Sequence, residues 1–348
     1  MKIAVAMSGG VDSSVAAALL KEQGHEVIGL TMQLVTPNTA DNINYARKVA
    51  DKLGIPHHVI DFSDVFARDI IGYFCQEYSA GRTPNPCVLC NRLIKFGALW
   101  EKAAALGAAY IATGHYARIE RHGNKIALKK GADTKKDQSY FLCRLTREQL
   151  QRTLFPVGHL TKAEVRQIAM EKGLPAASRP ESQEICFIPD NDHPGFVKNY
   201  LAQSPLPGPI RDGRGKLLGE HHGIAAYTIG QRHGLGIAAA EPLYVTAIEA
   251  DRNAVVVGTK TETYATDLIA ADLNWINGNM PEFPFNLKAK VRYRHAEAPV
   301  SLHPLDDRYL LVKFAAPQMA ITPGQTIAFY EGDAVIGGGT ILKQGDKL

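Results

Sequence analysis

Several hallmarks of common protein classes are missing from this sequence. No Gly-Lys-Ser or Gly-Lys-Thr occurs among its 348 residues, which disfavours an NTPase of the P-loop type. The longest uncharged stretches, such as residues 103–116, are too short for a membrane-spanning helix and contain Gly, Thr and His. The apolar run before Gly9 is too short for the core of a secretory signal peptide. We therefore expect a cytoplasmic protein with no membrane partner.

Cysteine is also scarce, and its five copies form an odd set that disfavours a disulfide framework: Cys75, Cys87, Cys90, Cys143 and Cys186. Three interpretations of Cys87-x-x-Cys90 remain open. A structural zinc site is the weakest, because no second Cys-x-x-Cys and no His-x-x-x-His occurs. A thioredoxin-like dithiol usually opens a helix directly after a strand, whereas prolines precede this pair. The third interpretation makes one of the pair a nucleophile and Cys186 its partner.

Net charge is modest at +4, but its distribution along the chain is uneven. Residues 118–152 hold ten Lys or Arg against four Asp or Glu. Such a cluster suits a polyanion such as a nucleic acid, and a solvated surface explains it equally well.

The stretch that organises the chain lies at its start. An apolar run over residues 3–6 leads into Ser-Gly-Gly-Val-Asp-Ser-Ser at residues 8–14, and a helical pattern follows at once. Paired glycines let the backbone N–H groups approach an anion, and the helix adds its positive dipole end. A plain glycine-rich turn is the alternative, but seven residues in this order favour a phosphate-binding loop.

The first third of the chain alternates between strand-like and helical patterns. The helical patterns end in glycine, which predicts a doubly wound parallel sheet. Ligands of such sheets bind beyond the carboxyl ends of the strands, where residues 8–12, Met32 and Gly114-His115 fall. The strand-like runs are Ile3 to Met7, Val27 to Met32, His58 to Phe62 and Tyr110 to Thr113.

Residues 78–91 carry two cysteines in a stretch that two prolines and a glycine predict to be an irregular loop. Helical periodicity over residues 92–106 places Cys90 near a helix N-terminus. The helix dipole and the neighbouring Arg82, Arg92 and Lys95 are then expected to lower the pKa of the Cys90 thiol.

The second half of the sequence predicts further domains. A hairpin is expected over residues 118–130 with its turn at 122–124, followed by capping boxes that begin at Thr146 and Thr161. Prolines at 205, 207 and 209 mark a linker, and short β-type runs follow, including 225–229. We predict a catalytic domain of residues 1–204, a small central β-rich domain of 205–277 and a C-terminal β-barrel of 278–348. From the residues alone, a sandwich remains an alternative for the last domain.

Nine motifs occur along the chain in this order: SGGVDSS, TPNPCVLCN, TGHYARI, DQSYFL, GHLTKAEVR, ICFIP, YTIGQRHGLGI, RYRHAE and TPGQ. Together they resemble the bacterial tRNA-specific 2-thiouridylase family, and the first resembles the loop of the N-type ATP pyrophosphatases. The resemblance runs from residue 5 to about residue 340 in family order. It implies an adenine nucleotide α-hydrolase-like sheet, ATP with Mg²⁺, and thiolation of the wobble uridine of tRNA by sulfur from a persulfide-carrying donor protein. We expect a monomer.

The resemblance also implies residue roles. Cys90 is the expected nucleophile and Cys186 the persulfide carrier, and these two are expected to form a transient disulfide. ATP is expected on Ala6, Met7, Ser8, Gly9, Gly10, Val11, Asp12, Ser13, Met32 and Gly114. The target base is expected near Asn85, Pro86 and Cys87. Contacts to tRNA are expected at His115, Lys136, Asp137, Gln138, Arg292, Tyr293 and Gln325.

Two metal interpretations accompany these roles. Asp12 suits a Mg²⁺ ion that bridges phosphates, although an aspartate there also suits a helix N-cap. Cys87, Cys90 and Cys186 together could hold three irons of a four-iron cluster whose fourth iron carries sulfide. Family members vary at the position of Cys87, so that thiol need not be essential.

Two other functions are weighed against thiolation. Another adenylating ATP pyrophosphatase, such as a synthetase, needs neither the cysteine pair nor an RNA surface. An RNA-binding protein with a vestigial nucleotide site is disfavoured because Ser-Gly-Gly-Val-Asp-Ser-Ser is intact and both Cys87 and Cys90 are present.

Overall fold

The structure, a computed structural model, describes residues 1–123, 125–180, 185–188, 190, 192–201, 206–278, 280 and 287–343. Five strands of its N-terminal part are β1 Lys2–Ala6, β2 Glu26–Gln33, β3 His57–Asp61, β4 Tyr110–Ala112 and β7 Thr153–Leu154. They form one sheet in the order β3-β2-β1-β4-β7, and every neighbouring pair is parallel. None of the helices described has the length and apolar character needed to span a bilayer.

The side chains of β1 alternate between two apolar clusters, which shows that helices cover both faces of this sheet. Ile3 and Val5 belong to one apolar cluster, with α1, α2 and α8, whereas Ala4 belongs to a second, with the helices of residues 63–105. The prediction of a doubly wound sheet is therefore confirmed. The helices of the first face are α1 Val11–Glu22, α2 Thr39–Leu53 and α8 Lys162–Glu171.

The second face is covered by two helical rods, each with a π-helical middle. The first joins α3 Ser63–Phe66, a π-helical segment Ala67–Gly72 and α4 Tyr73–Ser79. The second joins α5 Pro86–Cys90, a π-helical segment Asn91–Ala98 and α6 Leu99–Ala105.

The prediction of an irregular loop over residues 78–91 is wrong at both of its ends. Helix α4 runs to Ser79, and α5 already begins at Pro86. A proline fits there because the first helical position needs no N–H donor. The Asn85 side chain caps the helix by accepting a hydrogen bond from the Val88 N–H at 3.3 Å. Cys87 and Cys90 therefore lie on a helix.

A hairpin joins the catalytic domain to the C-terminal part. Its strands are β5 Ala117–His122 and β6 Lys125–Lys130, as the sequence predicts, although Asn124 of the predicted turn lies outside the described residues. Both predicted capping boxes are confirmed at Thr146 and Thr161. The shorter helices are α7 Arg147–Gln151 and α9 His193–Leu201, with 3₁₀ turns at Ser139–Leu142, Ile224–Ala226, Ala250–Arg252 and Thr261–Thr263.

The central domain contains a four-stranded sheet whose order is β10-β11-β8-β9. Two sequence predictions fail here. Gly208 and Pro209, predicted as linker, begin β8, and residues 225–229 form no strand. Pro205 of the predicted linker lies outside the described residues. The strands are β8 Gly208–Asp212, β9 Leu217–His221, β10 Tyr244–Glu249 and β11 Ala254–Gly258.

Six strands close into a C-terminal barrel, so the predicted barrel is confirmed. They are β12 Tyr264–Trp275, β13 Lys288–Lys290, β14 Ala298–Pro304, β15 Leu310–Met319, β16 Thr326–Glu331 and β17 Ala334–Ile341. The order is β12-β15-β14-β13-β16-β17, and β17 pairs back with β12. The hairpin strand β6 also pairs with β17. The domain limits stay predictions, but β12 belongs to the barrel sheet although it precedes the predicted boundary at residues 277 and 278.

Candidate active site

The loop between β1 and α1 is held in shape by its own hydroxyl groups. The Ser13 Oγ accepts a hydrogen bond from the Ser8 N–H at 3.2 Å and donates one to the Gly10 carbonyl at 3.1 Å. Gly9 has a φ of +72°, and a Cβ there would lie 2.5 Å from the Asn42 carbonyl oxygen. Only glycine fits this position. The tight turn predicted at the paired glycines therefore has a specific local cause.

The carboxyl end of β4 lies against this loop. A Cβ on Gly114 would lie 2.6 Å from the carbonyl carbon of Asp12 and from the Ser13 nitrogen. Gly114 therefore meets the first turn of α1. Met32 is half-buried and packs against the apolar cluster on the other face of the sheet. The ATP-binding roles of residues 6–13, Met32 and Gly114 stay proposals.

Asp12 forms a half-buried ion pair that the sequence did not predict. The Lys162 Nζ donates to both carboxylate oxygens of Asp12, at 2.7 and 2.8 Å, and the Tyr116 hydroxyl donates at 2.7 Å. Lys162 is only 8% exposed. It follows the capping residue Thr161, so the capping box was the available signal, but nothing in the sequence indicated its partner 150 residues away. Asp12 lies inside α1 and is not its N-cap.

The three cysteines of interest lie within electrostatic range of one another. Cys90 is buried, Cys87 is half-buried and Cys186 is exposed; all five cysteines of the chain are free thiols. Although Cys186 is exposed as a residue, the pKa of its thiol is raised to about 12, first by desolvation from the surrounding protein and then by the Cys90 and Cys87 thiols. Lys95 lowers the pKa of each of the three thiols.

The prediction of a lowered pKa at Cys90 is wrong. Burial raises the pKa of this thiol from 9.0 to about 11, and the charge of Lys95 offsets only part of that rise. Arg82, one of the cations expected to help, instead forms an ion pair with Glu77. Without its substrates, the protein therefore holds Cys90 as a neutral thiol.

The raised pKa of Cys186 gives a pH prediction for the protein without its substrates. The rate at which iodoacetamide alkylates Cys186 should rise about tenfold per pH unit from pH 7 to beyond pH 10, because only the thiolate reacts. Peptide mass spectrometry measures the alkylation rate of Cys186 at each pH. Glutathione is the reference thiol, and its alkylation rate should level off at a lower pH. A plateau for Cys186 near pH 7 would mean that its pKa is lowered.

In the described part of the chain, no set of side chains is arranged to bind a resident metal ion. No group of three or more His, Cys, Asp or Glu is arranged there to hold an ion, although Cys87, Cys90 and Cys186 are all described. The carboxylate of Asp12 is already engaged by Lys162. The described residues therefore do not fit the iron cluster, whereas a Mg²⁺ ion near Asp12 stays a prediction, because Mg²⁺ is usually held by one or two carboxylates together with substrate phosphates.

The segment that leads into α5 is held by the barrel and the central domain. The Gln325 Nε2 donates to the carbonyl oxygens of Thr83 at 2.8 Å and Pro84 at 3.3 Å, and the Thr83 N–H donates to the Pro323 carbonyl at 2.8 Å. A Cβ on Gly81 would lie 2.7 Å from Ile248 of β10. Gln325, predicted to contact tRNA, thus orients the chain just before Asn85.

Other side chains predicted to contact tRNA also have internal partners. The Nδ1 of His115 lies 2.7 Å from the Thr113 hydroxyl, and burial holds the pKa of His115 well below its usual value. Asp137 is buried and accepts hydrogen bonds from the Gly131 N–H and from Ser139. The Gln138 side chain accepts one from the Tyr116 N–H, Arg292 donates to the Ala320 carbonyl at 3.5 Å, and the Tyr293 ring lies 4.5 Å from that of Phe141.

Part of the positive charge of the basic segment of residues 118–152 is paired with acids elsewhere in the protein. Lys130 pairs with Glu297 at 2.6 Å and Arg118 with Asp333 at 2.9 Å, and both acids come from the C-terminal part. Charge counting along the sequence therefore overstated the charge available to a polyanion.

Family models match three parts of the chain. They are described as a tRNA methyl transferase HUP domain over residues 1–190, a tRNA methyl transferase PRC-barrel domain over 194–259 and an aminomethyltransferase beta-barrel domain over 265–341.

Sequence relatives and solved structures were also found. A tRNA-specific 2-thiouridylase MnmA of Symbiobacterium thermophilum is 49% identical over 98% of this chain and 92% of its own. One of Caldanaerobacter subterraneus, MnmA 1, is 51% identical over 99% and 98%. Among solved structures, a 4-thiouridine synthetase–RNA complex with bound ATP has a TM-score of 0.35 at 16% identity, covering 58% of this chain and 50% of that chain. The NMN synthetase of Francisella tularensis has a TM-score of 0.35 at 15% identity, covering 59% and 78%. On the sequence matches, the chain belongs to the tRNA-specific 2-thiouridylase family.

Proposed function

We propose that this protein uses ATP to replace the 2-oxygen of a wobble uridine in tRNA with sulfur. One observation carries the proposal beyond family membership. The His115 ring, next to Gly114 at the loop between β1 and α1 (the phosphate loop), has its centroid 5.9 Å from that of Phe96, which belongs to the same helical rod as Cys87 and Cys90. Lys95 of that rod acts electrostatically on His115 and on all three thiols. These contacts support a site in which a nucleotide on the loop and the thiols act on the same substrate.

The chemistry requires two steps. The uridine 2-oxygen first attacks the α-phosphorus of ATP, pyrophosphate leaves, and the oxygen becomes part of an adenylate. A urea-like carbonyl is a poor electrophile, and adenylation turns its oxygen into a leaving group. The phosphate loop, with Asp12 held by Lys162, binds and orients ATP in this proposal. Any Mg²⁺ enters as the companion of the ATP phosphates, and no step depends on a resident metal.

Sulfur then arrives through the cysteines. A donor protein leaves a persulfide on Cys186, and the Cys90 thiolate attacks the inner sulfur of that persulfide. A Cys90–Cys186 disulfide forms and hydrosulfide is released; hydrosulfide adds to C2 of the uridine, and AMP departs. A thiol reductant supplies the two electrons that reopen the disulfide. Lys95 would favour the thiolate form of Cys90 that attacks.

The products of ATP test the proposal. We expect AMP and pyrophosphate rather than ADP and phosphate, because the loop resembles a pyrophosphate cradle and no P-loop lysine follows it. Full-length protein, total tRNA, Mg-ATP and a persulfide donor would be incubated together, and both nucleotides and tRNA nucleosides analysed by mass spectrometry. ADP as the main product, or the absence of 2-thiouridine when AMP accumulates, would contradict the proposal.

Binding of tRNA is proposed for Lys136 and Arg292 of the set predicted from the family. Replacing either with alanine should weaken tRNA binding and flatten the slope of log affinity against log salt by roughly one unit for each phosphate that the side chain neutralises. Filter binding at several salt concentrations measures this. Lys313→Ala on β15 is a control remote from the matching motifs. Unchanged slopes in both variants would make these residues ordinary surface cations.

A further inference from the structure

Arg179 lies against the phosphate loop, and nothing in the mechanism above uses it. Its Nη1 donates to the Gly9 carbonyl oxygen at 3.2 Å. The guanidinium carbon lies 4.3 Å from the ring centroid of Tyr45, which belongs to α2. A Cβ on Gly9 would lie 3.0 Å from the same Nη1, so the side chain is packed tightly on the loop. Arg179 is half-buried.

Within the described part of the chain, the contacts of Arg179 engage only a small part of its hydrogen-bonding capacity. A guanidinium group carries five N–H donors in a planar fork, and one of them is used on Gly9. Stacking on Tyr45 fixes the plane of the fork while its edges stay available. Within the described residues, no carboxylate forms an ion pair with Arg179, whereas Lys162, the other cation in contact with residues 9–12, is paired with Asp12. Among the residues that the structure describes, Arg179 thus brings a positive charge with no acidic partner to a loop suited to an anion.

We propose that Arg179 binds the β- and γ-phosphates of ATP and holds the pyrophosphate that leaves. This rests on the proposed function, because only an adenylating enzyme releases pyrophosphate at this loop. When the bond between the α-phosphorus and the bridging oxygen breaks, the electron pair goes to pyrophosphate, and the added negative charge develops beside Arg179. A planar fork suits two phosphate oxygens at once, which a lysine cannot match.

Binding of inorganic pyrophosphate and of AMP, measured separately by calorimetry on the full-length protein with Mg²⁺ and without tRNA, tests this. Arg179→Ala should weaken pyrophosphate binding about 10- to 100-fold, the usual range for a charged hydrogen-bonding contact, and leave AMP binding within about twofold. The Arg179→Lys variant should bind pyrophosphate more weakly than the wild type and more tightly than Arg179→Ala. Lys48→Ala is the matched control, because its ammonium lies 5.6 Å from the same Tyr45 ring without touching the loop.

The outcomes separate this inference from the function. Unchanged pyrophosphate affinity in Arg179→Ala would overturn it, and so would equal losses for pyrophosphate and AMP, which would indicate general damage to the loop. Thermal unfolding of each variant checks that the fold persists. If the wild-type protein fails to thiolate tRNA but shows the expected pyrophosphate pattern, the function is wrong and the role of Arg179 stands.

Discussion

Replacing Lys162 with methionine should reduce the rate of AMP formation by about 100- to 1000-fold. We expect a loss of about 3–4 kcal/mol, the lower part of the range for breaking a buried ion pair, because Asp12 is partly exposed, and each 1.36 kcal/mol is tenfold in rate. Both Asp12 oxygens would lose their donor, and the Tyr116 hydroxyl alone would remain. Asp12 would then no longer be held at the first turn of α1. Release of pyrophosphate in a single-turnover assay measures the effect.

Lys172→Met is the matched control for this experiment. It lies just past the other end of α8 and pairs at the surface with Glu22, where an ion pair contributes little. Asp12→Asn should lose adenylation to a similar extent while tRNA binding persists. The double variant should lose little more than either single one, because the two residues form one unit. Additive losses would mean that Lys162 and Asp12 act separately, and equal loss of tRNA binding would mean that Asp12 is mainly structural.

Cys186→Ser should abolish thiolation completely while the tRNA adenylate still forms. Without the Cys186 thiol no persulfide can be carried, but the phosphate loop is unaffected. Incubation of the wild type with a persulfide donor should add the mass of one sulfur atom to the Cys186 peptide. Cys90→Ser should accept that sulfur and then fail to release it. Mass spectrometry of peptides and of tRNA nucleosides measures both steps.

Cys87→Ser is the control for the cysteine variants, because Cys87 shares α5 with Cys90 and should tolerate the change. The Cys90–Cys186 disulfide requires the two Cα atoms to approach to about 6 Å. An iron cluster would instead give brown, iron-containing protein that loses its iron in all three variants. Full activity of Cys186→Ser would refute the persulfide relay.

The features predictable from the sequence depend on neighbours along the chain. The strand, loop and helix at residues 3–22 follow from local periodicity and paired glycines, and both capping boxes follow from residues three apart. The pairing of Asp12 with Lys162 could not be predicted, because it joins residues 150 apart. The predicted pKa of Cys90 is wrong for the same reason: the cations are visible in the sequence, whereas the burial that outweighs them comes from packing.

Pro86 shows a different limit of sequence reasoning. Proline and glycine within residues 78–91 suggest an irregular chain, but a proline excludes only the helix interior. With Asn85 as the cap, Pro86 is the first residue of α5. The charge of the basic segment is overstated in the sequence because Glu297 and Asp333, which neutralise part of it, lie more than 150 residues further along the chain.

The pairing of β6 with β17 has a consequence for synthesis on the ribosome. Strand β6 ends at Lys130, and its partner begins only at Ala334. At about 5–20 residues per second, the hairpin of the nascent chain waits roughly 10–40 s for that partner. During this interval β6 presents unpaired N–H and C=O groups along the edge that β17 later covers, and other strands can pair with them. A shortened chain that stops after the catalytic domain would never leave that stage, so its solubility should be lower than that of the full-length protein.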